Sequence, residues 1–147
     1  MPHYSQIIKK IMSELKKMVA TFYNDCLTVN EKNNTNEVLE KILADDFQSI
    51  NTKETKGKAQ LIGQVAGFWK LMPDMKWEIK DMVQEGNQVV VRCEFSASPK
   101  GNFMGMEVDG SKSFKTMSMD MHTIENGQIK TVYHIEEWTT AIAQLKS

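Results

Sequence analysis

Asp120 stands in the middle of an alternating run, Met117-Ser118-Met119-Asp120-Met121-His122. A carboxylate among apolar neighbours is costly to bury unless it is paired or hydrogen-bonded. Burial also raises its pKa toward the range useful for proton transfer at neutral pH. Beyond it comes Asn126-Gly127, the strongest short hairpin signal. Taken as the two turn residues, they set Asp120 opposite Tyr133, His122 opposite Thr131 and Ser118 opposite Ile135. Residues two apart share a face of a strand. The spacing therefore predicts Ser118, Asp120, His122, Thr131, Tyr133, Ile135 and Glu137 on one face. It predicts Met117, Met119, Met121, Val132, His134 and Glu136 on the other. A one-residue slip would move every one of them, so the assignment depends on the turn. The candidate catalytic set is Asp120 as acid/base, with His122 and Tyr133 as hydrogen-bonding partners. His134 reads as packed among methionines. Spacing alone favours an Asp120 that faces solvent or pairs with a lysine across the sheet, since structural ion pairs also perturb carboxylates.

Other chemistries find little support. Gly57-Lys58 lacks the upstream glycine of a phosphate-binding loop, and no Gly-x-Ser-x-Gly elbow exists. Cys26 and Cys93 form no Cys-x-x-Cys, and no histidine pair has zinc spacing, so no metal site is expected. Cys93 reads as core. The 18 Lys+Arg and 19 Asp+Glu nearly balance, which argues against a nucleic-acid partner. No stretch approaches the ~18 apolar residues of a membrane span, and no signal peptide is visible. The expectation is a cytoplasmic protein with no membrane partner. At 147 residues, 41% hydrophobic and 25% charged, residues 1–147 read as one globular domain.

The elements that must hold Asp120 follow from periodicity. Ile7, Ile8, Ile11, Met12, Leu15, Met18, Val19, Phe22, Tyr23, Cys26 and Leu27 recur at steps of three and four, one face of a long helix from Ser5 to Leu27. Asn36 reads as the N-cap of a short helix carrying Val38, Leu39, Ile42 and Leu43. A third helix is expected over Lys58–Leu71. Its Gly63 and Gly67 cost about 1 kcal/mol each against Ala, a cost that close packing on a sheet would offset. After Pro73 the period changes to two. Met75–Gln84 and Gln88–Ser98 read as a hairpin about Gly86-Asn87, with Val83 opposite Val90 and Asp81 opposite Arg92. A glycine-containing loop, a strand from Lys112 to Glu125, a strand from Gln128 to Glu137 and a short helix over Thr139–Leu145 complete the chain. Helices first and an antiparallel meander after them indicate α+β.

In order along the chain stand Met72-Pro73-Asp74-Met75-Lys76-Trp77, Glu85-Gly86-Asn87-Gln88-Val89-Val90-Val91-Arg92, Gly101-Asn102-Phe103-Met104-Gly105, Met119-Asp120-Met121 and Glu125-Asn126-Gly127-Gln128-Ile129. This ordered set resembles the SnoaL-like polyketide cyclases, or ester cyclases, of the NTF2-like superfamily, over nearly the whole chain. The resemblance implies an NTF2-like cone-shaped barrel, a curved antiparallel sheet wrapped around three N-terminal helices with a deep pocket, commonly in a homodimer. It implies an aspartate acid/base, matching Asp120, for intramolecular aldol closure of a polyketide ester without metal or cofactor. It also brings departures. Ile50 and Pro99 stand where the family commonly has histidines. Thr131-Val132-Tyr133 stands for its usual Glu-His-Trp, and His122 replaces an aromatic residue.

The resulting expectation is a cofactor-independent cyclase or isomerase acting on a small apolar or polyketide-like carbonyl compound. The alternatives are a binding domain of the same fold without catalysis, and a domain serving only association. The expected substrate-binding residues are Phe22, Phe47, Trp69, Phe95, Met104, Ser118 and Ile135. Met72, Met75, Met104 and Met106 are placed near the pocket mouth, where an unbranched side chain adapts to a ligand. Met117, Met119 and Met121, with Val132 and His134, would form an apolar outer patch that a second copy covers.

Overall fold

The sheet grows from two tight turns. The computed structural model describes residues 2–147, the side chains of residues 2–4, 8 and 11–13 excepted; His3, Ile8, Ile11 and Met12 fall outside the described side chains. Gly86-Asn87 joins β3 (Lys76–Glu85) to β4 (Gln88–Ala97), with Gly86 at φ 59. The expected register holds there. Val83 faces Val90, and Asp81 faces Arg92, whose Nε lies 2.7 Å from the Asp81 carboxylate. Asn126 and Gly127, at φ 52 and 73, form the left-handed turn that joins β7 (Phe114–Glu125) to β8 (Gln128–Glu136).

Past that second turn the register departs from simple alternation. Ile124 pairs with Ile129, but Thr123 pairs with Thr131. Lys130 is the extra residue of a β-bulge, and a bulge shifts everything beyond it by one. Asp120 therefore faces His134, His122 faces Val132, and Met121 faces Tyr133. This corrects the expected faces. Val132, His134 and Glu136 share the inner side with Asp120, while Tyr133 and Ile135 join the methionines outside, 49% and 73% exposed. Lys130 ion-pairs with Asp46 of β1 (Leu43–Ile50), and β1 is itself irregular beside the bulge, between Leu43 and Gln48.

With β2 (Thr55–Gly57), the six-stranded sheet has the order β2-β1-β8-β7-β4-β3. It is curved and stays open. It is also mixed rather than wholly antiparallel, because β1 runs parallel to β8. A separate two-stranded ribbon, β5 (Lys100–Phe103) and β6 (Met106–Asp109), occupies the expected glycine loop.

The helices follow their stripes. α1 (Pro2–Thr21) passes into a π turn over Phe22–Cys26, closed by Leu27 N–H donating to the Phe22 carbonyl at 3.0 Å. α2 (Thr35–Ile42) is capped by Asn34, whose side chain accepts from Glu37 N–H at 3.2 Å. The cap is thus two residues earlier than Asn36. α3 spans Lys58–Leu71 as expected. Gly63 and Gly67, however, face solvent, with nothing within 4 Å of an added Cβ, so close packing does not explain them. α4 (Trp138–Lys146) closes the chain. No helix among the described residues is long and apolar enough to cross a membrane.

One apolar cluster fills the space between helices and sheet, including Val19, Leu39, Phe47, Phe95 and Phe114. Met72 and Met75 belong to it, not to a pocket mouth. Cys26 and Cys93 are free and buried. Burial pushes both thiols up to about 12, so neither supplies a thiolate at neutral pH.

Candidate active site around Asp120

The alternation of β7 points Thr116, Ser118, Asp120 and His122 inward, and all four are buried. The π turn meets them from the opposite side. One extra residue per turn is the signature of π geometry, and such turns recur at functional sites. Here the adjacent residues Phe22 and Tyr23 are both buried. The Tyr23 hydroxyl lies 2.5 Å from Asp120 Oδ2 and 2.6 Å from His122 Nε2. A hydroxyl has one proton to donate. With Asp120 ionised, Tyr23 donates to the carboxylate and accepts from a protonated Nε2. His122 Nδ1 is then the bare nitrogen, and it has no partner among the described residues.

Burial sets the protonation states. It pushes the Asp120 carboxyl up to about 7, aided by the nearby Glu136 charge and opposed by the Tyr23 hydrogen bond and by His134. Burial drives His122 down to about 3, so its ring stays neutral. Burial, then the Asp120 charge, raises the Tyr23 hydroxyl well above its ordinary value. Asp120 is therefore the one member of the trio that titrates near neutrality. Its Oδ1 has no hydrogen-bond partner among the described residues.

Asp120 lines a cavity of about 450 Å³, within the usual range for small-molecule sites. Phe22, Leu61, Val65, Phe68, Trp77 and Trp138 make its apolar wall. Trp77 is held in place by stacking on Phe95, with centroids 4.3 Å apart and planes at 12°. His134, Glu136, Lys56 and Glu54 also line it. His134 Nδ1 sits 2.8 and 3.0 Å from the two Glu136 oxygens, and Lys56 Nζ lies 2.7 Å from Glu54.

The candidate residues divide into four groups. Asp120, Phe22 and Met104 line the cavity, and Ile135 reaches its rim from the outer face. His122 is buried beside the cavity and meets Asp120 through Tyr23. Tyr133 lies on the outer face and cannot partner Asp120, because the bulge turns it away. Phe47, Trp69, Phe95 and Ser118 are absent from the lining. Trp69 instead donates its Nε1–H to the Cys26 carbonyl at 2.7 Å. Among the described residues no group of three or more His, Cys, Asp or Glu is placed to hold a metal ion.

Tyr23, His134 and Glu136 escape the sequence reading. Tyr23 sits in an apolar helical stripe, and nothing local says where its hydroxyl will end. The other two are hidden by the bulge. Trp77 and Trp138, rather than the expected Trp69, line the cavity.

A mixed sheet folded over helices, with a buried aspartate on its long central strand, defines an α+β fold. The chain belongs to the SnoaL-like polyketide cyclase family, whose model matches residues 17–145, and it has that family's NTF2-like fold. No curated protein is similar enough in sequence to count as a match. Among solved structures, a protein called a SnoaL-like polyketide cyclase from Jannaschia sp. CCS1 superposes with a TM-score of 0.81 at 16% identity, covering 92% of this chain and 93% of that one. IdmH of Streptomyces antibioticus, called a polyketide cyclase, gives 0.73 at 21% identity over 90% and 99%. AclR of Streptomyces galilaeus, called a hydroxylase, gives 0.74 at 17% identity over 94% and 96%.

Proposed function

We propose that the chain is a cofactor-independent cyclase or isomerase in which Asp120 moves a proton next to a carbonyl of a small apolar substrate. The observation that carries this reading is the state of Asp120. It lines the cavity, one oxygen is held by Tyr23, and the other has no partner. Its pKa is pushed up to about 7, which matches a group that must accept and return a proton at neutral pH. The apolar wall suits a hydrocarbon or polyketide-like body. His122 is a positioning residue, since it acts through the Tyr23 hydroxyl. The test compares wild type with Asp120→Asn in deuterium wash-in at the α-carbon of a simple ketone. The expected loss is about 10²–10⁴-fold, and equal wash-in would remove the acid/base role.

A binding domain without catalysis is the competing reading. It gains if Asp120, followed by NMR, titrates near its ordinary value of 3.8. An association domain would need a cavity filled by side chains, and this one is open.

The outer sheet face suggests a homodimer. Met117, Met119, Tyr133 and Ile135 expose 41–73% of their surface side by side on β7 and β8. A second copy of the same face would bury this apolar patch.

A further inference from the structure

His134 and Glu136 form a second acid–base unit in the same cavity, and the reading of Asp120 as base does not use them. Both residues line the cavity, and both side chains are largely enclosed, at 15% and 14% exposure. Glu136 takes Nδ1 of His134 with both oxygens. A carboxylate on one ring nitrogen fixes the tautomer and the ring plane, and it leaves the other nitrogen for chemistry. Here that nitrogen is Nε2. The bulge at Lys130 places His134 directly opposite Asp120 on the neighbouring strand, a pairing that sets Cβ atoms about 4.5–5.5 Å apart.

We propose that His134, oriented by Glu136, is the general acid that protonates the acceptor carbonyl in the aldol closure that the family resemblance implies, with Asp120 as the general base. The proposal rests on the Asp120 reading above. The step balances without an oxidant or reductant. Asp120 takes the proton from carbon next to the first carbonyl, and the C–H electron pair forms the new bond to the second carbonyl carbon. The π pair of that carbonyl moves to its oxygen, which takes the proton from His134 Nε2. Asp120 ends protonated and His134 neutral, and exchange with solvent restores both.

The charges around His134 support this assignment. Glu136 on its own strand raises the imidazole's pKa above its ordinary 6.5, and Asp120 across the sheet adds to this. Burial opposes them, and Lys56 of β2 less so; Glu54 beside Lys56 partly neutralises that lysine. Glu136 and Asp120 thus favour the imidazolium, which faces an aspartate that needs to be ionised.

The test uses 2,6-heptanedione, a diketone able to close on itself, and records deuterium wash-in and ring closure separately. Wild type should do both. Asp120→Asn should lose both. His134→Gln should lower closure by about 10²-fold or more beyond whatever it does to wash-in, both read above the Asp120 pKa. Glu136→Gln should move the alkaline limb of the closure pH profile downward, a shift that a purely structural role would not produce. Equal loss of wash-in and closure in a folded His134→Gln, or retention of both, overturns the proposal. Wash-in without closure by wild type also overturns it, and leaves the Asp120 reading standing. Absence of wash-in by wild type overturns both. Histidine ¹⁵N shifts, which need no turnover, should report Nδ1–H donated to Glu136; a proton on Nε2 alone in the neutral ring would contradict the geometry.

Discussion

The Tyr23 hydroxyl lies 2.5 Å from Asp120 Oδ2, across 97 positions of sequence. It joins the π turn at the end of α1 to the centre of the sheet, and it opposes the effect of burial on Asp120.

Asp120 makes stability fall with rising pH. Its folded pKa of about 7 lies above the ordinary 3.8, so between those values the folded chain holds a proton that the unfolded chain has released. Unfolding free energy then decreases as pH rises. This contribution is complete below 3.8 and is lost through about 7. Relative to wild type, Asp120→Asn should gain thermal stability between about pH 5 and about pH 8, measured by parallel melts. Wild-type deuterium wash-in, which needs only the Asp120 carboxylate, should climb toward a plateau above about 7.

Tyr23→Phe removes the hydrogen bond that favours the Asp120 carboxylate. The Asp120 pKa should rise further above about 7, visible in its carboxyl ¹³C titration. The variant should also be less stable by about 1–3 kcal/mol, since Asp120 and His122 each lose a buried partner.

His122 gives the opposite pH slope. Its folded pKa of about 3 lies below the ordinary 6.5, so in that window the unfolded chain binds the extra proton and stability rises with pH. His122→Phe keeps a ring against Phe22 and Tyr23 but cannot titrate. Its stability should decline less than that of wild type between about pH 6 and about pH 4, as followed by urea midpoints.

Gly63 is exposed in the interior of α3, with open space around an added Cβ. Gly63→Ala should stabilise the chain by about 0.5–1 kcal/mol, read as a higher denaturant midpoint at unchanged slope.

The outer face supplies the last test. Sedimentation should give a dimer for wild type and a monomer for Met119→Lys, which buries a charge in the apolar contact. A monomeric wild type would refute the dimer.

Local sequence determined most of the frame. Asn126-Gly127 and Gly86-Asn87 wrote their own turns, because few residues accept positive φ. The polar loop before Lys58 and Pro73-Asp74 beyond Leu71 bounded α3, and the alternation of β7 turned Asp120 and His122 inward. These are short-range consequences of backbone period and turn chemistry. The partners of Asp120 were decided by the tertiary fold. A single extra residue at Lys130, where β8 meets an irregular β1, exchanged Tyr133 for His134. The curvature of the sheet brought the Tyr23 hydroxyl, one position in an apolar helical stripe, onto the carboxylate. Periodicity fixes which way a side chain points from its own strand. Only the packing of one element against another fixes what it meets there.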